Sequence, residues 1–217
     1  MSRLELLQDA VLLSADQLRI TNDLLLNKLN RHSRETRMLT NIMLGVQEMT
    51  GEKLATFEIL EIKPEHDRDI CEIIKKVGEE YGAVGDGFGP SDAEVAEMSK
   101  HYCDRSASLY LVAIIEGSIV GGCGIAGFNG SRETCELRKL FLLKKSRGLG
   151  IGKELVAKCL DYARQKGYKE CYLDTLSSMK SAIALYDKFC FVHLDRPLEG
   201  TIHNGCDVWM LKKLQAA

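Results

Sequence analysis

The chain has 217 residues, of which 45% are hydrophobic, so it can bury a sizeable core as one domain with an extension or as two small domains. Its 29 basic and 31 acidic residues give a formal charge of −2, which provides no overall field to attract nucleic acid or an anionic membrane. There is no signal-peptide pattern and no run of about 18 apolar residues, so we expect a soluble cytoplasmic protein.

The eight cysteines are spread singly through apolar segments and form no Cys-x-x-Cys pair. Isolated cysteines of this kind are typical of small buried side chains in a reducing compartment. They do not have the spacing of a zinc or redox site. The sequence therefore predicts no metal.

Residues 1–54 are rich in leucine and contain no proline, and no glycine precedes Gly45, which predicts a helical N-terminal extension. Ser14 and Gln17 form a capping-box pattern that predicts the start of a second helix. The leucine spacing does not persist over three or four heptads, so we do not expect a long coiled coil. The extension either packs on its own domain or forms a homodimer, and its balanced charge argues against nucleic-acid binding.

Residues 55–217 are predicted to form the main domain, because alternating apolar runs begin there. Strands are predicted at 56–63, 109–115, 118–128, 133–143, 170–175, 191–194 and 207–214. Helices are predicted at 65–81, from Ser91 with Glu94 completing a capping box, at 150–166 and at 179–189. This order predicts an α/β fold with a mixed central sheet flanked by helices.

A basic, glycine-rich turn, Arg147-Gly-Leu-Gly-Ile-Gly152, separates the strand at 133–143 from the helix at 150–166. A strand, turn and helix in this order present unpaired main-chain N–H groups and a positive helix end to a phosphate. Glu154 stands where a Walker loop needs a hydroxyl, and the glycine spacing differs from that of a dinucleotide-binding fold. A different phosphorylated cofactor is therefore expected.

The Arg-x-x-Gly-x-Gly pattern of this turn resembles the coenzyme A pyrophosphate loop of the GNAT superfamily of N-acetyltransferases. The strand Leu137-Arg-Lys-Leu-Phe-Leu142, with Glu136 placed 11 residues before Arg147, is similar to a second motif of that superfamily. Residues 179–191, which include Leu185-Tyr-Asp-Lys188, are similar to a third. The resemblance covers about three quarters of the chain and implies an N-acetyltransferase with acetyl-CoA as co-substrate.

The resemblance also implies which groups bind the cofactor. The pyrophosphate is expected to accept hydrogen bonds from the main chain of Gly148, Gly150, Ile151, Gly152 and Lys153, with positive charge from Arg147, Lys144 and Lys145. Main-chain groups of Leu140 and Leu142 are expected to pair with pantetheine and to polarise the thioester carbonyl. Ser177 and Lys180 are expected to contact pantetheine or the adenosine phosphates.

The resemblance also implies two candidate catalytic side chains, Glu136 and Tyr186. Glu136 is the candidate general base, directly or through water, because aminolysis needs a neutral amine; alternatively it is a strand carboxylate paired with Arg138 or a lysine. Tyr186 is the candidate general acid for the departing thiolate, and its alternative is a core tyrosine. Cys190 replaces the usual glycine of the third motif, which is expected to reshape the following turn.

The resemblance further implies that the loop at 82–90 and the hairpin at 196–206 form the acceptor pocket. Glu79, Glu80 and Asp86 near the first loop would suit a cationic amine, although surface carboxylates of a flexible loop explain the same residues and are the favoured interpretation. His203 in the second segment is expected at the surface; its alternative is a second base or a substrate contact. We expect a small-molecule primary amine as acceptor; the alternative is an acyl-CoA-binding sensor that engages a partner through its N-terminal helices.

Overall fold

A computed structural model describes residues 56–214, so the predicted helical extension and the boundary at residue 54 lie outside the described residues. The strands are β1 (Phe57–Glu61), β2 (Leu109–Ile115), β3 (Ser118–Gly127), β4 (Thr134–Leu142), β5 (Glu170–Thr175), β6 (Val192–Leu194) and β7 (Val208–Lys213). The helices are α1 (Asp67–Tyr81), α2 (Met98–His101), α3 (Ile151–Gln165) and α4 (Lys180–Lys188). The predicted α/β fold with a mixed sheet is confirmed for this part of the chain.

The seven strands form one sheet in the order β1-β2-β3-β4-β5-β7-β6. All neighbours are antiparallel except β4 and β5, which run parallel. These two strands pair only from Thr134 to Glu136 on β4, opposite Glu170 to Tyr172 on β5. The second half of β4 therefore has no β5 partner, and main-chain groups on that side are available to a ligand.

Helices cover both faces of the sheet because their apolar residues recur at helical spacing. In α1, Ile70, Ile73, Ile74 and Val77 are buried, as their spacing predicts, and they pack near β3 and β4. On the opposite face, α3 places Leu155 and its neighbours against β2, β3 and β4. The parallel strand pair is thus held between two packed layers.

The predicted helix beginning at Ser91 is wrong. Residues Ala93–Glu97 form 3-10 turns, and only Met98–His101 is α-helical. Glu94 does not close a capping box; its carboxylate accepts from Lys139 Nζ at 2.6 Å and from the Tyr102 hydroxyl at 2.9 Å. A charge-assisted hydrogen bond to a buried cation is stronger than a cap, so this tertiary contact determines the local structure.

Strand β4 contains a bulge at Lys139, whose φ of 51° lies in the left-handed region. One extra residue is accommodated there, because Arg138 pairs with Gly124 and Phe141 with Gly122. The Tyr110 hydroxyl donates to the Lys139 carbonyl at 3.0 Å. A Cβ at Gly122 would lie 2.6 Å from the Tyr110 ring, so this glycine leaves room for the side chain that supports the bulge.

Across residues 56–214, no helix combines the length and the apolar composition needed to cross a membrane.

Candidate functional site

The glycine-rich turn at residues 147–152 includes the first two residues of α3. Gly148 and Gly150 have φ of 82° and 83°, a conformation that glycine adopts without a Cβ penalty. The first hydrogen bond of α3 runs from the Glu154 amide to the Gly150 carbonyl at 3.1 Å, and no side chain caps the helix. Within the described residues, the amides of 148–153 therefore have no hydrogen-bond acceptor, and they form a row of donors at a positive helix end.

A cleft of 450 Å³ lies beside this turn, and we call it the loop cleft. It is lined by residues of α1, the free half of β4, the turn and α4, namely Val77, Tyr81, Leu140, Leu142, Arg147, Gly148, Gly150, Gly152, Lys153, Met179, Ser181, Ala182, Ala184, Leu185 and Lys188. Most of the residues predicted to bind the cofactor are thus brought together in one cleft.

Arg147 is held in place by residues of α1 and β4. Its two terminal nitrogens bind both oxygens of Glu80 at 2.5 and 2.7 Å, and its Nε donates to the Leu142 carbonyl at 2.9 Å. Its guanidinium lies 5.3 Å from the centre of the Tyr81 ring. The hydrogen bonds to Arg147 hold the pKa of the exposed Glu80 carboxylate below its usual value. Glu80 thus orients Arg147.

The second cavity, which we call the polar pocket, opens where β4 and β5 separate. Its lining includes Phe88, Gly89, Pro90, residues 136–141, residues 174–176, Met179, Tyr186, His203 and Cys206. Leu140 and Met179 line both cavities, so the polar pocket and the loop cleft meet at these two residues.

Glu136 is buried on β4, facing the polar pocket. Its Oε2 accepts from Arg138 Nε at 2.7 Å, and its Oε1 lies 3.6 Å from His203 Nδ1. The pairing with Arg138 was one of the two interpretations of Glu136, and the structure contains it. A carboxylate has about four lone-pair sites, so this pairing leaves sites that could accept a proton from a ligand.

His203 is buried between three carboxylates, so the expectation of a surface histidine is wrong. Its Nδ1 lies 3.1 Å from Asp174 Oδ1 and its Nε2 lies 3.1 Å from Asp92 Oδ2. Burial alone would lower the pKa of His203, but the hydrogen bonds to Asp174, Asp92 and Glu136 outweigh it and raise the pKa to about 11. The imidazole is therefore a cation at neutral pH.

Lys139 carries a second buried cation into the same cluster. Its side chain is 2% exposed, and Nζ donates to Asp92 at 2.7 Å and to Glu94 at 2.6 Å. Burial would raise the pKa of Asp92, yet His203 and Lys139 together hold that pKa below its usual value. Asp92 thus joins two cations from distant parts of the chain.

Tyr186 lies on α4, and its buried side chain lines the polar pocket beside Phe191. Its hydroxyl has no hydrogen-bond partner among residues 56–214. Burial, followed by the nearby Cys123 and Asp174 side chains, raises the pKa of Tyr186 well above its usual value. The phenol therefore keeps its proton throughout the neutral range and has a donor available.

Three other predicted residues lie outside the two cavities or in an unusual conformation. The amide and hydroxyl of Ser177 bind Asp207 at 2.7 and 2.6 Å, and neither Ser177 nor Lys180 lines the loop cleft. Cys190 has φ of 60°, the left-handed conformation that a glycine would adopt without strain. The chain therefore forms this turn with a side chain at the position.

Glu136, Asp174 and His203 have ligand-type atoms within 4.8 Å of one another, which is the spacing of a metal site. Metal binding would require a neutral imidazole nitrogen, so a cation at this position would have to displace a proton from His203. The absence of a metal from the activity stays a prediction.

Sequence reasoning missed Asp92, Asp174, Lys139 and the burial of His203. One signal for the strand residues was available: Glu136 and Arg138 flank Leu137 on β4, and Tyr172 and Asp174 flank Leu173 on β5. Alternate residues share a sheet face, so polar groups at such positions indicate a polar site on a buried face.

Solved structures of acetyltransferases share this fold. An acetyltransferase of the GNAT family from Staphylococcus aureus Mu50 has a TM-score of 0.64 at 21% identity, covering 74% of this chain and 100% of its own. The Salmonella typhimurium protein yncA, a putative acetyltransferase solved with acetyl-CoA, has a TM-score of 0.60 at 19% identity, covering 75% of this chain and 96% of its own.

Sequence comparison identifies the family. Residues 79–191 match the acetyltransferase (GNAT) family. The uncharacterized N-acetyltransferase YjgM of Escherichia coli K12 is 40% identical over 147 residues, which cover 67% of this chain and 87% of the relative. The chain therefore belongs to the GNAT acetyltransferase family and is an N-acetyltransferase. The resemblance stated from the glycine-rich turn, β4 and α4 is confirmed at this level.

Proposed function

We propose that this enzyme transfers an acetyl group from acetyl-CoA directly to the primary amine of a small molecule. One observation carries the proposal: the loop cleft has a row of unpartnered amides along residues 148–153, and it meets a polar pocket at Leu140. A diphosphate at the amides would leave an extended thioester arm along β4, with its reactive end at the entrance to the polar pocket. The Salmonella protein of similar fold was solved with acetyl-CoA, which supports this choice of co-substrate.

The amides of Gly148, Gly150, Ile151, Gly152 and Lys153 bind the diphosphate in this proposal, and Arg147 adds charge. Leu140 and Leu142 offer main-chain groups to the pantetheine arm, because β4 has no β5 partner beyond Glu136. The Leu142 carbonyl is already bound by Arg147, so the Leu142 amide is the main-chain group that is available to the pantetheine arm. The Leu140 amide polarises the thioester carbonyl.

Glu136 receives the proton that the acceptor ammonium must lose, directly or through a water molecule. His203 cannot serve as this base at neutral pH, because it is already protonated. Together with Arg138 it holds the Glu136 carboxylate in position. The four carboxylates Asp92, Glu94, Glu136 and Asp174 face the three cations Arg138, Lys139 and His203, which leaves one negative charge to attract an ammonium group.

The amine nitrogen then forms a bond to the thioester carbon, and the bond from that carbon to sulfur breaks. The electron pair leaves with the sulfur, and Tyr186 supplies a proton or hydrogen bond to the thiolate. The products are the N-acetylated amine and free CoA thiol. The nitrogen releases its second proton to solvent as the carbon–sulfur bond breaks, Tyr186 regains its proton from solvent, and Glu136 releases its proton there. The amine attacks the thioester itself, so no covalent enzyme intermediate forms.

The test is release of CoA thiol from acetyl-CoA with a panel of primary amines, alongside calorimetry with acetyl-CoA alone. We expect acetyl-CoA to bind and at least one amine to be acetylated. Binding without turnover of any amine would favour the acyl-CoA-binding sensor. A full-length protein that takes up neither acetyl-CoA nor CoA would overturn the proposal.

A further inference from the structure

Arg138 has hydrogen-bonding groups that the protein leaves largely unused. Its Nε donates to Glu136 Oε2 at 2.7 Å, and 21% of its side-chain surface is exposed. Among residues 56–214, the terminal guanidinium nitrogens have no acceptor within hydrogen-bond distance. A guanidinium has five N–H donors, so four remain available at the lining of the polar pocket.

The other cations that line the polar pocket, and Arg147 at the loop cleft, are engaged differently. Lys139 binds Asp92 and Glu94, and His203 lies between Asp174 and Asp92. Arg147 is bound through both terminal nitrogens by Glu80. Arg138 therefore differs from them, because only its Nε binds a carboxylate, and its two terminal nitrogens have no acceptor among residues 56–214.

The surroundings of Arg138 keep it charged and in place. It lies on β4 between Glu136 and the bulge at Lys139, and it pairs with Gly124 of β3. Burial would lower the pKa of Arg138, but Glu136 and Tyr102 outweigh it and raise the pKa above its usual value. A fixed planar cation with open donors is suited to a planar anion, which it can bind with two parallel hydrogen bonds.

We propose that Arg138 binds a carboxylate of the acceptor, so that the acceptor is an α-amino acid or a similar compound carrying a carboxylate beside its amine. This inference rests on the proposed acetyl transfer. The excess negative charge of the pocket by itself would suit an amine without a carboxylate; the open guanidinium adds the second requirement.

The position of Arg138 beside Glu136 allows one small acceptor to place both its carboxylate and its amine in the polar pocket. Because Arg138 binds Glu136 through Nε, a carboxylate on its terminal nitrogens lies next to Glu136. The amine of an α-amino acid is separated from the carboxylate by one carbon, so it stays within reach of the candidate base. Leu140, two residues further along β4, lines both cavities and marks where the acetyl group would meet that amine.

The experiment compares each L-amino acid with its amide, which has the same side chain and amine but no carboxylate charge. We expect wild type to show the higher kcat/KM for the acid of the preferred pair. In Arg138→Gln the ratio of acid to amide should fall by about 10- to 100-fold, the range for losing hydrogen bonds to a charged group. Arg138→Lys should keep part of the preference for the acid, because lysine retains the positive charge but lacks the two parallel N–H donors of the guanidinium.

The ratio is the decisive readout, because loss of the Arg138 contact to Glu136 would lower turnover of acid and amide alike. Arg132→Gln, at an exposed arginine just before β4, is the matched control and should leave the ratio unchanged. A wild type that prefers amides, or shows no preference, overturns the inference while acetyl transfer stands; that result does not depend on any variant folding. An unchanged ratio in Arg138→Gln overturns it as well. Failure of every amine overturns the proposed function and this inference with it.

Discussion

His203 and Asp92 are 111 positions apart in the chain, yet Nε2 of the imidazole lies 3.1 Å from Oδ2 of the carboxylate. Because the pKa of His203 is raised to about 11, this contact is an ion pair at neutral pH. It joins the segment before α2 to the segment before β7. The two walls of the polar pocket are therefore connected directly, and not only through the sheet.

The ion pairs of His203 predict a pH-dependent contribution to stability. The folded-state pKa of about 11 exceeds the ordinary value of 6.5, so above pH 6.5 the folded protein binds more protons than the unfolded chain. The contribution is fully present below pH 6.5 and is lost as pH rises toward 11. We expect Tm to fall more steeply between pH 7 and pH 9.5 in wild type than in His203→Gln, measured by calorimetry; parallel curves would contradict this.

Lys139→Met should strongly destabilise the fold. Removing this buried cation takes a partner from Asp92 and Glu94, and breaking a buried ion pair costs about 3–5 kcal/mol. Lys158→Met is the control, because Lys158 is half-exposed and its pair with Glu154 on α3 is worth less than about 1 kcal/mol. Urea denaturation of both variants measures the difference. Equal losses of unfolding free energy in the two variants would show that the buried ion pairs of Lys139 contribute no more than an exposed pair.

Gly150→Ala should weaken acetyl-CoA binding. Each alanine forced into the left-handed region costs about 1–2 kcal/mol of stability, and the one at position 150 also shifts the row of amides at residues 148–153. Gly167→Ala is the matched control: Gly167 has φ of 82°, open space around its Cβ, and lies just after the other end of α3. Calorimetry should show about tenfold weaker binding, or more, only for Gly150→Ala. Equal affinities in the two variants would place the diphosphate elsewhere.

Tyr186→Phe should lower kcat by about 100-fold or more with little change in the KM for acetyl-CoA, because only the proton donor is removed. Tyr168→Phe removes a hydroxyl that donates to the Ala107 carbonyl at 3.0 Å, away from both cavities. That variant should retain wild-type kcat. Unchanged turnover in Tyr186→Phe would remove this tyrosine from the reaction.

Cys190→Gly should stabilise the protein. The left-handed conformation costs a non-glycine residue about 1–2 kcal/mol, and the greater freedom of glycine in the unfolded chain offsets about 0.5–1 kcal/mol of the gain. A net increase of about 0.5–1 kcal/mol in unfolding free energy is expected from urea titration. Cys190→Ala removes the thiol but keeps the Cβ, so it should show no such increase.

Much of the fold could be predicted from the sequence because periodicity reports which face of an element is buried. The four apolar residues of α1 are buried at the spacing that predicted them. The turn at Glu116 and Gly117 has positive φ at both residues, as a tight hairpin requires. The Arg-x-x-Gly-x-Gly pattern likewise located the start of α3, since its glycines reflect a local backbone requirement.

The polar pocket could not be predicted in the same way, because its contacts are made between distant segments. Nothing local to Asp92 indicates that it binds Lys139 and His203. The bulge at Lys139 could not be predicted either. It interrupts the alternation of β4, and it buries the side chain of Lys139, a residue type that is usually exposed. His203 was expected at the surface for the same reason, since its three carboxylate neighbours come from three separate segments.

The contacts of Asp92 also bear on attempts to give this enzyme a new acceptor by grafting loops from a relative. A transplant that replaced residues 82–96 without an acid at position 92 would strip a shared counterion from Lys139 and His203 at once. Two enclosed positive charges would then repel each other with less compensation. A graft that gives the enzyme a new acceptor would have to replace the residues at positions 92, 139 and 203 together.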